Sequence, residues 1–128
     1  MRWLAALCLM LVLTACAQPQ DGGVRRQLVF FQEWSAALDQ EAQDAVNAAA
    51  AVVKANPASP VTVIGYADPD GSPQANRDIS RARAQMVLDA LVTAGVPAGQ
   101  ITREARGATA FIGSSLESRR VEIVVQVR

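Results

Sequence analysis

Four polar residues, Asp68, Asn76, Ser80 and Arg83, are spaced so that they could act together on a charged ligand. Asp68 opens the turn Asp68-Pro69-Asp70-Gly71, built from residues that favour turns. Ser72-Pro73 then reads as a helix N-cap followed by proline in the first helical position. On that helix, at about 100° per residue, Ile79, Ala82, Met86, Val87, Ala90, Leu91 and Ala94 form one apolar stripe. Arg83 falls inside the stripe. Asn76 lies one heptad earlier and nearly in line, with Ser80 between them and slightly to the side. Arg77 and Arg81 fall well away from the stripe and read as solvated. Burying an unpaired guanidinium costs on the order of several kcal/mol, so Arg83 needs an acidic partner or a carboxylate ligand. Asp68, where the preceding strand runs out, is the candidate partner. The start of the helix adds free backbone amides and partial positive charge. An acid, an arginine and free amides in one crevice can hold a zwitterion, with Asp68 taking an ammonium and Arg83 a carboxylate. The competing reading is that Asp68 and Arg83 pair with each other and merely tie strand to helix.

These side chains need a scaffold, and the hydrophobic pattern outlines one. Ala17 to Arg26 is rich in Pro, Gly and polar residues and reads as a tether reaching at most about 35 Å. Leu28-Val29-Phe30-Phe31 reads as a first strand. After a turn over Ser35 to Asp39, a helix is expected to about Ala55. Its stripe is Ala42, Ala45, Val46, Ala49, Val52 and Val53. Asn56-Pro57 ends it. Val61 to Ala67 is rich in β-branched residues and predicts a second strand. The helix bearing Arg83 runs to about Ala94, where Gly95-Val96-Pro97 stops it. Ile101 to Gly107 predicts a third strand. Val121, Ile123, Val125 and Val127 alternate with Glu122 and Gln126 as a half-buried last strand, and Val124 breaks the alternation. The expected fold is α+β: a two-layer α/β sandwich of order β-α-β-α-β-β, with a mixed sheet and helices on one face.

Composition narrows the function. The 128 residues support one domain. Arg2 precedes an apolar run, residues 3 to 13, that has no polar face and is short for a bilayer span, which reads as a secretory signal peptide. No histidine is present, which removes the commonest general base and metal ligand. Charges balance at twelve basic and twelve acidic side chains, and losing Arg2 with the leader leaves eleven basic. Nothing in that balance draws the chain to nucleic acid. A hydrolase would need paired carboxylates with room for water, or an activated nucleophile with its base, and none is visible around Asp68. No enzyme, cofactor or metal centre is expected.

Two resemblances sharpen this reading. Leu13-Thr14-Ala15-Cys16 resembles the lipobox of bacterial lipoproteins, which implies acylation of Cys16 and a durable membrane anchor. With Cys8 in the removed part and Cys16 acylated, no thiol remains for a disulfide. Ala17 in place of Asp implies the outer membrane. The second resemblance rests on Gly65-Tyr66-Ala67-Asp68-Pro69-Asp70-Gly71-Ser72, Asn76 and Ile79-Ser80-Arg81-Ala82-Arg83-Ala84. Gly95-Val96 and Arg119-Arg120-Val121-Glu122-Ile123 add to it. The set resembles the OmpA-like domain, the family of the peptidoglycan-associated lipoprotein, over nearly everything from Leu28 to Val127. The resemblance implies non-covalent binding of peptidoglycan through the diaminopimelate of its stem peptide. Asp68 would hold the ammonium and Arg83 a carboxylate, with Asn76, Gly71 and Ser72 shaping the pocket. Arg119 and Arg120 either line that pocket or cap a strand end, and the loop from Phe111 to Glu117 is short. The expected organisation is a signal peptide over 1–15, a lipidated cysteine and tether over 16–26, and the wall-binding domain over 27–128, facing the periplasm. The alternative is an OmpA-like module that has lost wall binding and engages envelope proteins instead.

Overall fold

In the computed structural model of the protein, residues 22–109 and 115–128 are described. The apolar leader, Cys16, the tether up to residue 21 and loop residues 110–114 lie outside the described residues. The chain runs β1 (Val24–Phe30), α1 (Gln40–Ala55), β2 (Val61–Ala67), α2 (Pro73–Thr93), β3 (Ile101–Ala108), α3 (Ser115–Ser118) and β4 (Arg120–Gln126). Local chemistry accounts for the helix ends. The Asp39 carboxylate accepts the Ala42 amide at 2.8 Å to start α1, and the Asn56 side chain donates to the Val52 carbonyl at its close. Ser72 accepts the Ala75 amide at 3.0 Å, with Pro73 opening α2 as the sequence predicts. At the other end, the Gly95 and Val96 amides donate to the carbonyls of Val92 and Leu91 and close the helix.

The strands form one mixed sheet in the order β1-β4-β2-β3. β4 lies antiparallel to β1 and to β2, while β2 runs parallel to β3. Alternate residues point to the helical layer. Val29, Val61, Val63, Val121, Ile123 and Val125 meet Val46, Ala49 and Val53 of α1 and Ala84, Val87 and Leu91 of α2 in one core. The expected α+β sandwich is what forms. No helix among the described residues is long and apolar enough to cross a membrane.

Three local expectations need correction. β1 begins at Val24, so the last three residues read as tether belong to the sheet, and it ends at Phe30. Arg25 and Arg26 pair by backbone with Val125 and Val124, a contribution that their polar side chains conceal. Glu122 was expected on the wet side of the last strand but is 9% exposed, because Arg120 meets it at 3.0 Å and Arg26 at 3.7 Å. The third correction is the buried face of α2, which runs along Asn76, Ser80, Arg83, Ala84, Val87 and Leu91. Ala82 and Met86, assigned to the stripe, face solvent. Gly65 explains the rotation. A Cβ there would collide with the Ser80 carbonyl, so β2 and α2 approach most closely along the line of Ser80.

Candidate functional site

The C-terminal end of β2, the first half of α2 and the chain after β1 converge on a cleft. Glu33, Trp34, Ala67, Asp68, Asn76, Ile79, Arg83 and Arg119 line it. Asp68 follows the last residue of β2 and is 8% exposed. Its Oδ2 accepts from Arg119 Nη1 at 3.0 Å. Its Oδ1 is buried and has no hydrogen-bond partner among the described residues. Arg119, just ahead of β4, also donates through Nε to the Phe31 carbonyl at 3.1 Å. It therefore lines the cleft, while Arg120 lies over the Tyr66 ring at 4.2 Å and pairs with Glu122.

Arg83 is 1% exposed and satisfies its charge in a way the sequence does not reveal. Nε donates to the Ser35 carbonyl at 2.8 Å, Nη2 to the Gln32 carbonyl at 3.0 Å and Nη1 to the Tyr66 carbonyl at 3.3 Å. The guanidinium also lies over the Phe31 ring, 5.4 Å from its centre. The sequence required an acid or a ligand for Arg83, and backbone carbonyls take that place. Asp68 takes Arg119 as its ion-pair partner, which replaces the direct Asp68–Arg83 pair weighed from the sequence. Burial lowers the Arg83 pKa to about 10, with repulsion from Arg119 acting the same way and Asp68 opposing it. At neutral pH the group remains a cation. Among the described residues, three of its five N–H donors are engaged.

Asn76, in the first turn of α2, is 2% exposed, and its Oδ1 has no partner among the described residues. Ser80 does not reach the cleft. Its hydroxyl donates to the Arg77 carbonyl and accepts the Gly107 amide at 3.1 Å, joining α2 to β3. Of the two turn residues assigned to the pocket, Ser72 is spent as the helix cap and does not line the cleft. Gly71 acts from behind. It has φ +91°, and a Cβ there would lie 2.6 Å from Cη2 of Trp34. Trp34, Glu33 and Ile79 are cleft residues that sequence reasoning missed, Ile79 having been read as core. The available signal was Trp34 itself, a large aromatic between the polar Gln32-Glu33 and Ser35, just ahead of the predicted turn. Among the described residues no three His, Cys, Asp or Glu side chains gather in a way that could hold a metal ion.

This is an α+β domain with a small, charged cleft at the end of β2, holding a buried cation, a second, partly buried one and buried acceptors together. The chain belongs to the OmpA family, whose pattern matches residues 30–121 and spans every cleft residue. It is 35% identical over 103 residues to the probable lipoprotein YiaD of Escherichia coli (strain K12), covering 76% of this chain and 47% of YiaD. It is 38% identical over 86 residues to the peptidoglycan-binding protein ArfA of Mycobacterium bovis (strain ATCC BAA-935 / AF2122/97), covering 62% of this chain and 26% of ArfA. The chain thus spans less than half the length of either relative. The crystal structure of the peptidoglycan-associated lipoprotein from Burkholderia pseudomallei shares the fold, with a TM-score of 0.71 at 24% identity over 78% of this chain and 90% of that one.

Proposed function

We propose that this chain is a lipid-anchored envelope protein whose domain binds peptidoglycan non-covalently through the diaminopimelate of the stem peptide. One observation carries the reading. Two buried acceptors without partners among the described residues, Asp68 Oδ1 and Asn76 Oδ1, line the same cleft as two guanidinium groups, those of Arg83 and Arg119. Buried acceptors are normally satisfied, and an ammonium would satisfy both. The N–H groups of Arg83 that have no partner among the described residues, with Arg119 beside them, suit a carboxylate. A zwitterion of this kind is what a diamino acid side chain offers. Family membership and the peptidoglycan-binding relative support the same assignment. In this reading Ser72 and Gly71 serve the site indirectly, by capping α2 and by backing Trp34.

The domain acts by binding rather than by catalysis. One oxygen of Asp68 is held by Arg119, and the cleft lacks an activated nucleophile with its base. Acylated Cys16 would hold the protein in the outer membrane with the domain in the periplasm. Cys16→Ala should then move the chain from the membrane pellet to the soluble fraction, and retention in the pellet would contradict the lipid anchor.

The test of binding is co-sedimentation of the full chain, in detergent, with purified peptidoglycan, with and without free diaminopimelate. Pelleting that diaminopimelate reverses, and that Asp68→Asn abolishes while the melting curve stays cooperative, is the expected outcome. Failure of the folded wild-type chain to pellet would sink the reading and point to an envelope protein as partner. Pelleting unaffected by Asp68→Asn would sink the site assignment alone.

A further inference from the structure

Trp34 has two properties that core packing does not explain. It is 54% exposed, and its φ of +51° lies in the left-handed region that bulky residues rarely adopt. Such outliers persist only where their surroundings over-determine them. Here the surroundings are identifiable. Gln32 to Ser35 form a turn closed by the Ser35 amide donating to the Gln32 carbonyl at 3.2 Å. Both carbonyls that bracket Trp34 also accept from Arg83, Gln32 from Nη2 and Ser35 from Nε. A fully buried guanidinium therefore clamps both ends of the turn. Between them the indole is laid against Gly71, where no side chain larger than hydrogen would fit beside it. The result is a large, half-exposed aromatic surface that lines the cleft together with Asp68, Asn76 and Ile79.

We propose that Trp34 is a ligand-contacting wall of the cleft and selects a side chain with a methylene stem that ends in an ammonium. This rests on the peptidoglycan-binding reading and specifies what part of the wall enters. The indole, Ile79 and Ala67 supply apolar surface for the methylenes. The orphan acceptors of Asp68 and Asn76 receive the ammonium, and an indole face nearby attracts the same charge.

Trp3 and Trp34 are the two tryptophans in the chain, so Trp3→Phe leaves Trp34 as the sole indole reporter. The full chain carrying Trp3→Phe, in detergent, is titrated with a stem tripeptide ending in diaminopimelate while indole emission is followed. In parallel, binding to purified peptidoglycan is compared for this parent, Trp34→Phe and Trp34→Gly. The last variant suits the backbone angle and should keep or raise the melting temperature. The expected result is a saturable emission change in the parent, near-parental affinity for Trp34→Phe, and affinity about tenfold weaker for Trp34→Gly. A parent that binds peptidoglycan with emission unchanged, and a Trp34→Gly variant that binds as tightly, would overturn the role of Trp34 and leave wall binding standing. A folded parent that binds no peptidoglycan would overturn both.

Discussion

In the C-terminal half of α2, Ala84, Val87 and Leu91 fill the core. In the N-terminal half, Asn76, Ser80 and Arg83 occupy the same face of the same helix, each 2% exposed or less. The apolar half needs only complementary shape, since its burial is driven by water and has no direction. The polar half needs particular atoms at particular distances. Arg83 draws on carbonyls of Gln32, Ser35 and Tyr66, and Ser80 on Gly107 and Arg77, so other segments must already be in place. Asn76 stands apart from both, with an oxygen still unanswered at the edge of the cleft. On this face polar residues are thus buried where partners exist, and the acceptor left without one among the described residues, Asn76 Oδ1, lines the cleft.

Substitutions along the helix test this contrast. The largest effect is expected for Arg83→Met, which removes the cation shared by three carbonyls and should cost about 4 kcal/mol. Leu91→Ala should follow at about 3 kcal/mol. Urea unfolding gives both costs, and peptidoglycan co-sedimentation of the folded fraction separates them. Arg83→Met should lose binding because the Trp34 turn is released, whereas folded Leu91→Ala should bind like wild type. Equal losses of binding would mean that the two halves are one unit. Ser80→Ala strands the Gly107 amide and should cost about 2 kcal/mol, with wall binding retained. Asn76→Ala should show the smallest stability change, about 1 kcal/mol or less, together with a marked fall in pelleting. A stability loss for Asn76→Ala that matches Ser80→Ala, with binding intact, would make Asn76 a structural residue.

Arg83→Met also shows why deletion of Arg83 is a poor first test of the ligand site. Because the side chain holds Gln32, Ser35 and Tyr66 together, its loss confounds binding with folding. Asp68→Asn is cleaner, since it keeps the shape and alters the charge beside Arg119.

The regular elements were legible because local signals and burial agree there. Val61–Ala67 is rich in β-branched residues, Ser72-Pro73 caps α2, and Gly95-Val96 closes it; each follows from backbone preferences that act within a few residues. Asp68, Asn76 and Arg83 were legible as a set because the motif spacing resembles the family, and all three line the cleft. The buried face of α2 was misplaced because hydropathy assigns Met86 and Ala82 to the interior and gives Ser80 no weight there. That scale does not register a hydroxyl with both its partners, or a glycine across the interface that admits the helix backbone.

The order of the strands and of the two long helices, the cap of α2, the α+β class and the charged residues at the end of β2 can therefore be read from the sequence, whereas the short α3, within the expected loop, cannot. These depend on periodicity and on chemistry between near neighbours. The tertiary structure alone decided that Asp68 pairs with Arg119, 51 residues away, and that Arg83 answers to Gln32 and Ser35, 51 and 48 residues away. It also decided that Trp34 stands over the cleft. Such choices are made between segments remote in sequence, by the cost of leaving a buried charge or acceptor unsatisfied, and that cost exists only once the chain has closed around it.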